Sequence, residues 1–206
     1  TSLSDVLIGA EAVIFAIPSS AIREVAFAGA KHIAPNALII SASKGLEDET
    51  GMRMSEVITN VMTQVSSIPA TEIQENLVAL SGPNLALEIA NRVPTASVAA
   101  STNLDAANRT CSLLMGDTFR VYTSTDIIGV EIAGAVKNII AIGAGVCEGI
   151  GFGDNSKAAL LTRGLAEITR LGSALGAEPA TFMGLSGVGD LIATCSSRLS
   201  RNYRVG

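Results

Sequence analysis

The sequence predicts an α/β first part followed by an all-helical second part. Up to about residue 125, short runs of Val, Ile, Leu and Ala alternate with stretches of helical periodicity; beyond 126 the strand signal stops and two long helical segments follow. Strands alternating with helices imply a sheet of parallel type, whose ligand sites gather at the carboxyl ends of the strands. The boundary is placed near Asp126, giving domains 1–125 and 126–206.

In order, residues 12–17 form an apolar run stopped by Pro18 and read as a buried strand. Ser19 or Ser20 can cap a helix reaching about residue 31. Residues 37–42 and 77–80 read as two more buried strands, with a helix over about 52–64 between them. Asn84 can cap a short helix running to Ile89. Residues 95–100 and 118–122 read as further strands, separated by a helix over about 105–115. The second part holds helices over 127–146 and 155–175, then a short one over 179–183 with Pro179 in its first turn. Glycines at 143, 145, 149, 151 and 153 cost up to about 1 kcal/mol each inside a helix, which points to close backbone approach by a helix or a ligand.

At 206 residues, 48% of them hydrophobic, the chain has material for a sizeable core. A net charge of −5 without runs of Lys or Arg argues against nucleic acid or an anionic membrane as partner. Mean hydropathy is +0.44, yet Pro18, Lys44, Lys137 and many glycines interrupt the apolar runs before the roughly 20 residues of a membrane span. Extensive burial is expected instead, including a subunit interface such as that of a homodimer. Cys111, Cys147 and Cys195 are widely spaced with no histidine partner, so no metal site is expected and the thiols read as reduced, in a cytoplasmic protein. His32, the single histidine, reads as a surface residue at a polar helix end. No basic region followed by an apolar one opens the chain, so no signal peptide is expected.

The chemistry-bearing residues stand at strand ends and on the long apolar helix. Ala133, Gly134, Lys137, Ala141 and Ala144 share one helix face, a furrow of small side chains holding one amine. Burial disfavours a charged ammonium and a neighbouring carboxylate restores the charge, so an amine in such a setting can be tuned to give or take a proton. The same residue can also be a snorkelling lysine. Lys44 follows the second strand, and Ser81-Gly82-Pro83-Asn84 follows the third, where glycine lets a ligand approach the backbone. Near the end, Asp190 follows a Gly-Val-Gly turn, and Arg201 stands between Ser200 and Asn202, a set of fixed donors suited to phosphate. Together these suggest a site for a phosphorylated, oxygen-rich small molecule.

Lys44-Gly45-Leu46-Glu47, Ser81-Gly82-Pro83-Asn84, Gly129-Val130-Glu131, Gly134-Ala135-Val136-Lys137-Asn138, Gly151-Phe152-Gly153-Asp154-Asn155, Thr162-Arg163-Gly164 and Gly189-Asp190-Leu191 through Ser200-Arg201-Asn202 stand in the order seen in NAD(P)-dependent glycerol-3-phosphate dehydrogenases. The resemblance spans nearly the whole chain and is nearest to bacterial-type members. It implies the later part of a Rossmann-like NAD(P)-binding domain (1–125) followed by a helical substrate-binding, catalytic domain (126–206). The implied activity interconverts sn-glycerol 3-phosphate and dihydroxyacetone phosphate with NAD or NADP, supplying glycerol 3-phosphate for phospholipid synthesis.

By that resemblance Lys137 is the general acid that protonates the alkoxide formed on hydride transfer, and Asp190 lies near it and the substrate hydroxyls. Lys44, Gly82 and Asn84 line the substrate site; Asn84 stands where Ser or Thr is often found. Ser200, Arg201 and Asn202 bind the phosphate end. Lys44, Ala86 and Arg201 contact the nicotinamide cofactor. The family's opening G-x-G-x-x-G turn is not found in these residues, so the resemblance implies an internal portion of the enzyme. Two other classes fit parts of the pattern. A related two-domain hydroxy-acid dehydrogenase could share the lysine helix, but is not expected to combine Ser-Gly-Pro-Asn with Ser-Arg-Asn. A non-catalytic fragment or assembly module would fold yet bind no phosphorylated substrate.

Overall fold

In a computed structural model describing residues 2–206, the first two apolar runs become parallel neighbours. These are β1 (Ala12–Phe15) and β2 (Leu38–Ser41), with Ala12 opposite Leu38 and Phe15 opposite Ser41. Strand β3 (Leu77–Ser81) adds to β2 in parallel, Ile39 facing Leu77. All four residues of β2 are buried, the polar Ser41 at its end included, as befits a strand covered on both faces. Past Phe15 the first run leaves the ladder, and the Ile17 N–H is taken by Ser43 Oγ at 3.2 Å.

The sheet continues through β4 (Thr95–Ala100) to β5 (Phe119–Ser124), in the order β1-β2-β3-β4-β5. It is mixed where the sequence suggested a parallel type. Asn84 Nδ2 donates to Ala96 O at 3.2 Å and Ser97 Oγ to Ser81 O at 3.0 Å, setting the end of β3 beside the start of β4. Asn103 Nδ2 donates to Glu75 O at 3.0 Å, setting the start of β3 beside the end of β4. Those two strands therefore run in opposite directions. Thr95 N bonds Thr118 O and Ser101 N bonds Ser124 O, the same offset at both ends, so β4 and β5 are parallel.

Helices fill the connections: α1 (Leu3–Leu7), α2 (Ile22–Gly29), α3 (Met54–Val65), α4 (Ala70–Glu75), α5 (Ala86–Ala90) and α6 (Leu104–Leu114). The helix expected over 19–31 is α2 between two 3-10 turns, Ser19–Ala21 and Ala30–His32. Ser19 and Ser20 sit inside the first turn, no side chain caps it, and His32 is exposed. Asn84 does not cap α5 either, since its amide is spent on β4.

From Ile127 on, the chain is helical: α7 (Ile127–Gly149), α8 (Asp154–Ala174), α9 (Pro179–Phe182), a π-type turn Leu185–Gly189, α10 (Asp190–Ser196) and α11 (Arg201–Val205). The chain divides into two compact units. One takes the chain to Leu80 with Ala99–Leu113 and Thr123–Ile127, and the other takes Ser81–Val98, Leu114–Tyr122 and Ile128–Gly206. In the first, Ile22, Ile40, Met54, Ile58 and Val78 form the core. In the second, Phe182 is fully buried and its ring fills the space that Gly172 leaves on α8.

Helix α7 is, by length and composition, apolar enough to cross a membrane, a point on which the sequence reading is corrected. Its burial is that of a core helix: Ala133, Ala141 and Ala144 are buried, while Ile139, Ile142 and Val146 are exposed. The close approach expected at the glycines is made by a helix at Gly145, where a Cβ would overlap the Tyr203 carbonyl of α11, and at Gly143, where it would press on Leu160 of α8; at Gly149 the contact is ordinary, and Gly151 and Gly153, beyond α7, face open space.

Candidate active site

Lys137 stands midway along α7 with only 6% of its surface exposed, so it does not snorkel. Its ammonium pairs with the carboxylate of Asp190, itself 2% exposed. A buried ion pair of this kind holds only when hydrogen bonds complete it. Thr194 supplies one, accepting from Lys137 Nζ at 2.6 Å. The threonine's own proton is directed back to Asp190 O at 2.6 Å, which leaves its lone pairs for the amine.

The backbone explains how Asp190 reaches this place. It is the first residue of α10, where the positive end of the helix dipole favours a carboxylate, and Thr194 follows four residues later on the same face. The π-type turn before it packs tightly: a Cβ on Gly187 would overlap the Phe182 carbonyl, and Ser186 Oγ donates to Ser81 O at 3.3 Å. That last bond ties the turn to Ser81, the last residue of β3, immediately before Gly82. Cys195, next along α10, is fully buried, and burial pushes its thiol up to about 11, so it is inert as a nucleophile.

In the loop after β3, Gly82 has φ of +154°, and a Cβ there would lie 3.0 Å from both Ala96 O and Ser97 Cα. Only glycine fits without moving β4. Asn84 is bound to the same strand, its Oδ1 lying 3.0 Å from Ser97 Oγ. Ala86 opens α5 and is exposed.

Ser200 caps α11, its Oγ accepting from Tyr203 N at 3.3 Å. Arg201 is exposed and enters no ion pair among the described residues, while Asn202 is half-buried. Tyr203 anchors the helix from below, buried, with its hydroxyl bonded to Glu148 and Lys157 Nζ lying 5.7 Å over its ring. The Glu148 carboxylate raises both the Tyr203 and the Lys157 proton affinities and is itself held below the usual range by those partners.

The second unit thus holds Gly82, Asn84, Ala86, Lys137, Asp190, Ser200, Arg201 and Asn202, and within it Lys137 and Asp190 meet directly. Lys44 belongs to the first unit, half-buried in the loop after β2. Sequence reasoning missed Thr194, although its i+4 spacing from Asp190 was a readable signal. Among the described residues no group of His, Cys, Asp and Glu is arranged to hold a metal.

Comparison with known proteins gives a consistent result. Residues 1–107 match the family model for the NAD-dependent glycerol-3-phosphate dehydrogenase N-terminus and residues 126–206 the one for its C-terminus. The chain is 53% identical over its whole length to the glycerol-3-phosphate dehydrogenase [NAD(P)+] of Enterococcus faecalis, and 48% identical over 99% of its length to that of Pelotomaculum thermopropionicum. It spans 58% and 56% of those proteins. The crystal structure of glycerol-3-phosphate dehydrogenase from Coxiella burnetii superposes with a TM-score of 0.88 at 37% identity, covering 98% of this chain and 59% of that one. A yeast glycerol-3-phosphate dehydrogenase structure follows at TM-score 0.79 and 27% identity, again over 98% of this chain and 57% of its own. With both halves of the chain matched in order, and its apolar helix carrying a buried lysine paired to an aspartate, the chain belongs to the NAD-dependent glycerol-3-phosphate dehydrogenase family.

Proposed function

We propose that this chain carries the proton-transfer and substrate-binding part of a dehydrogenase that interconverts sn-glycerol 3-phosphate and dihydroxyacetone phosphate, supplying glycerol 3-phosphate for phospholipid synthesis. The observation that carries the reading is the buried Lys137–Asp190 pair completed by Thr194. NAD(P)H, when bound, supplies the hydride. The donor set suits such an anionic, oxygen-rich group: the exposed Arg201 guanidinium, the half-buried Lys44 amine and the buried, unpartnered Ser81 Oγ just before Gly82. Lys44, Ala86 and Arg201 would hold it.

As the carbonyl carbon of dihydroxyacetone phosphate is reduced, its π electrons pass to oxygen and leave an alkoxide. The Lys137 ammonium gives that oxygen a proton, and the amine left behind is neutral. Asp190 then favours recharging it from solvent, since a neutral amine beside a buried carboxylate leaves that charge uncompensated. In the reverse direction the neutral amine takes the hydroxyl proton. Arg201 offers a planar fork of donors to the phosphate, Asn202 stands beside it, and Ser200, whose Oγ accepts one N–H, keeps its own proton for a phosphate oxygen. Lys44, Gly82 and Asn84 line the glycerol end. The domains read as 1–125 for the nucleotide and 126–206 for the substrate. A homodimer in the cytoplasm belongs to the same reading, the dimer supported by the apolar stripe Ile139, Ile142 and Val146 on α7.

The test is oxidation of NADH and of NADPH by the folded protein with and without dihydroxyacetone phosphate, beside a panel of 2-keto acids. Oxidation that depends on dihydroxyacetone phosphate supports the reading. Preference for a keto acid overturns it.

A further inference from the structure

The loop that presents Lys44 is held from two helices through Glu47. Arg23 on α2 grips the Glu47 carboxylate as a fork, Nε to Oε1 at 2.7 Å and Nη2 to Oε2 at 2.8 Å. The third arm of the guanidinium, Nη1, donates to Asn60 Oδ1 on α3 at 3.0 Å. Thr50 Oγ1 adds a bond to Glu47 Oε2 at 2.5 Å, and Glu47 N donates to Met52 O at 2.9 Å. On the other side of Lys44, Ser43 Oγ donates to Ile17 O at 2.5 Å. Gly45 has φ of +145°, and a Cβ there would lie 2.9 Å from Ser19 Oγ, so the loop is pressed against the turn that begins α2. Lys44 therefore sits between two pinned neighbours.

An exposed ion pair alone adds little to stability. This one is bidentate and shares its acceptor with a threonine and its donor with an asparagine, so its effect is to fix geometry. We infer that Arg23 is a positioning residue for Lys44: by clamping Glu47 it sets the loop 43–53 so that the Lys44 amine is preorganised for the phosphorylated substrate. This rests on the assignment of Lys44 to substrate binding made above. Arg23 itself touches no substrate, and its loss is felt through the loop.

The test is steady-state kinetics of the full protein with dihydroxyacetone phosphate for Lys44→Ala, Arg23→Met, Arg23→Lys and Glu47→Gln. Lys44→Ala should raise KM by about tenfold or more, and Arg23→Met and Glu47→Gln by about three- to tenfold with kcat within about twofold, as expected for a misplaced binding group. Arg23→Lys should recover part of the loss, because one charged donor remains. A raised KM in Lys44→Ala with an unchanged KM in both Arg23→Met and Glu47→Gln overturns the clamp. A fall in melting temperature and kcat at constant KM also overturns it, by showing a purely structural pair. An unchanged KM in Lys44→Ala removes the assignment of Lys44 and the clamp with it.

Discussion

Lys137 on α7 and Asp190 on α10, 53 residues apart in the chain, form an ion pair inside the helical unit, with both side chains almost wholly removed from solvent. In such a place each charge depends on the other. Removing one partner of a buried pair typically costs about 3–5 kcal/mol, because the remaining charge is left uncompensated.

Asp190→Asn should therefore lower stability by about 3 kcal/mol and turnover by about a hundredfold or more. Thr194→Val, which keeps the shape but removes the acceptor at 2.6 Å from Lys137 Nζ, should cost about 1–3 kcal/mol. Thr194→Ser should be close to wild type. Denaturant melts with initial rates on each variant check the series, and a Thr194→Val protein indistinguishable from Thr194→Ser would contradict the hydrogen-bond account.

Gly172→Ala should destabilise the helical unit by about 1–3 kcal/mol, since a methyl there overlaps the buried Phe182 ring and the core must shift. Thermal melts read the loss directly. Gly116→Ala, where a Cβ meets nothing within 4 Å, is the control and should melt within about a degree of wild type.

The Arg23 guanidinium, and after it the Thr50 hydroxyl, hold the Glu47 carboxyl down to about 2. A carboxyl lowered on folding from an ordinary value near ~4.3 adds stability that is fully present above that value and is lost as pH falls towards about 2. The stability difference between wild type and Glu47→Gln should thus be constant from neutral pH down to about 5 and shrink below it. Acid melts of the two proteins test this, and a difference that grows on acidification would contradict the sign.

Much of this arrangement is legible in the residues themselves. The small-residue face of α7 with one amine follows from helical spacing, and β2, buried at every position, is visible in its Leu38-Ile39-Ile40 run. The reversal of β4 was not legible. It is set by side-chain bonds of Asn84, Ser97 and Asn103 to backbone atoms 12, 16 and 28 residues away, and no local pattern encodes such a distance. Helix α4 was missed because its six residues bury only Ile73 and show no apolar period. For Asn84 the local rule, that asparagine caps helices, lost to a tertiary one, since the neighbouring strand offered both a donor and an acceptor to its amide. The π-type turn that sets Asp190 depends on Gly187 meeting the Phe182 carbonyl, again a contact that spacing alone does not announce.

The most direct test of the central claim is turnover by Lys137→Met, which keeps the long apolar stem and removes the proton, measured beside the binding of dihydroxyacetone phosphate by calorimetry. The account predicts that the rate of substrate-dependent NAD(P)H oxidation falls by about a hundredfold or more while the substrate still binds. A variant that turns over at a near-wild-type rate would contradict the assignment of Lys137 as the group that gives the proton.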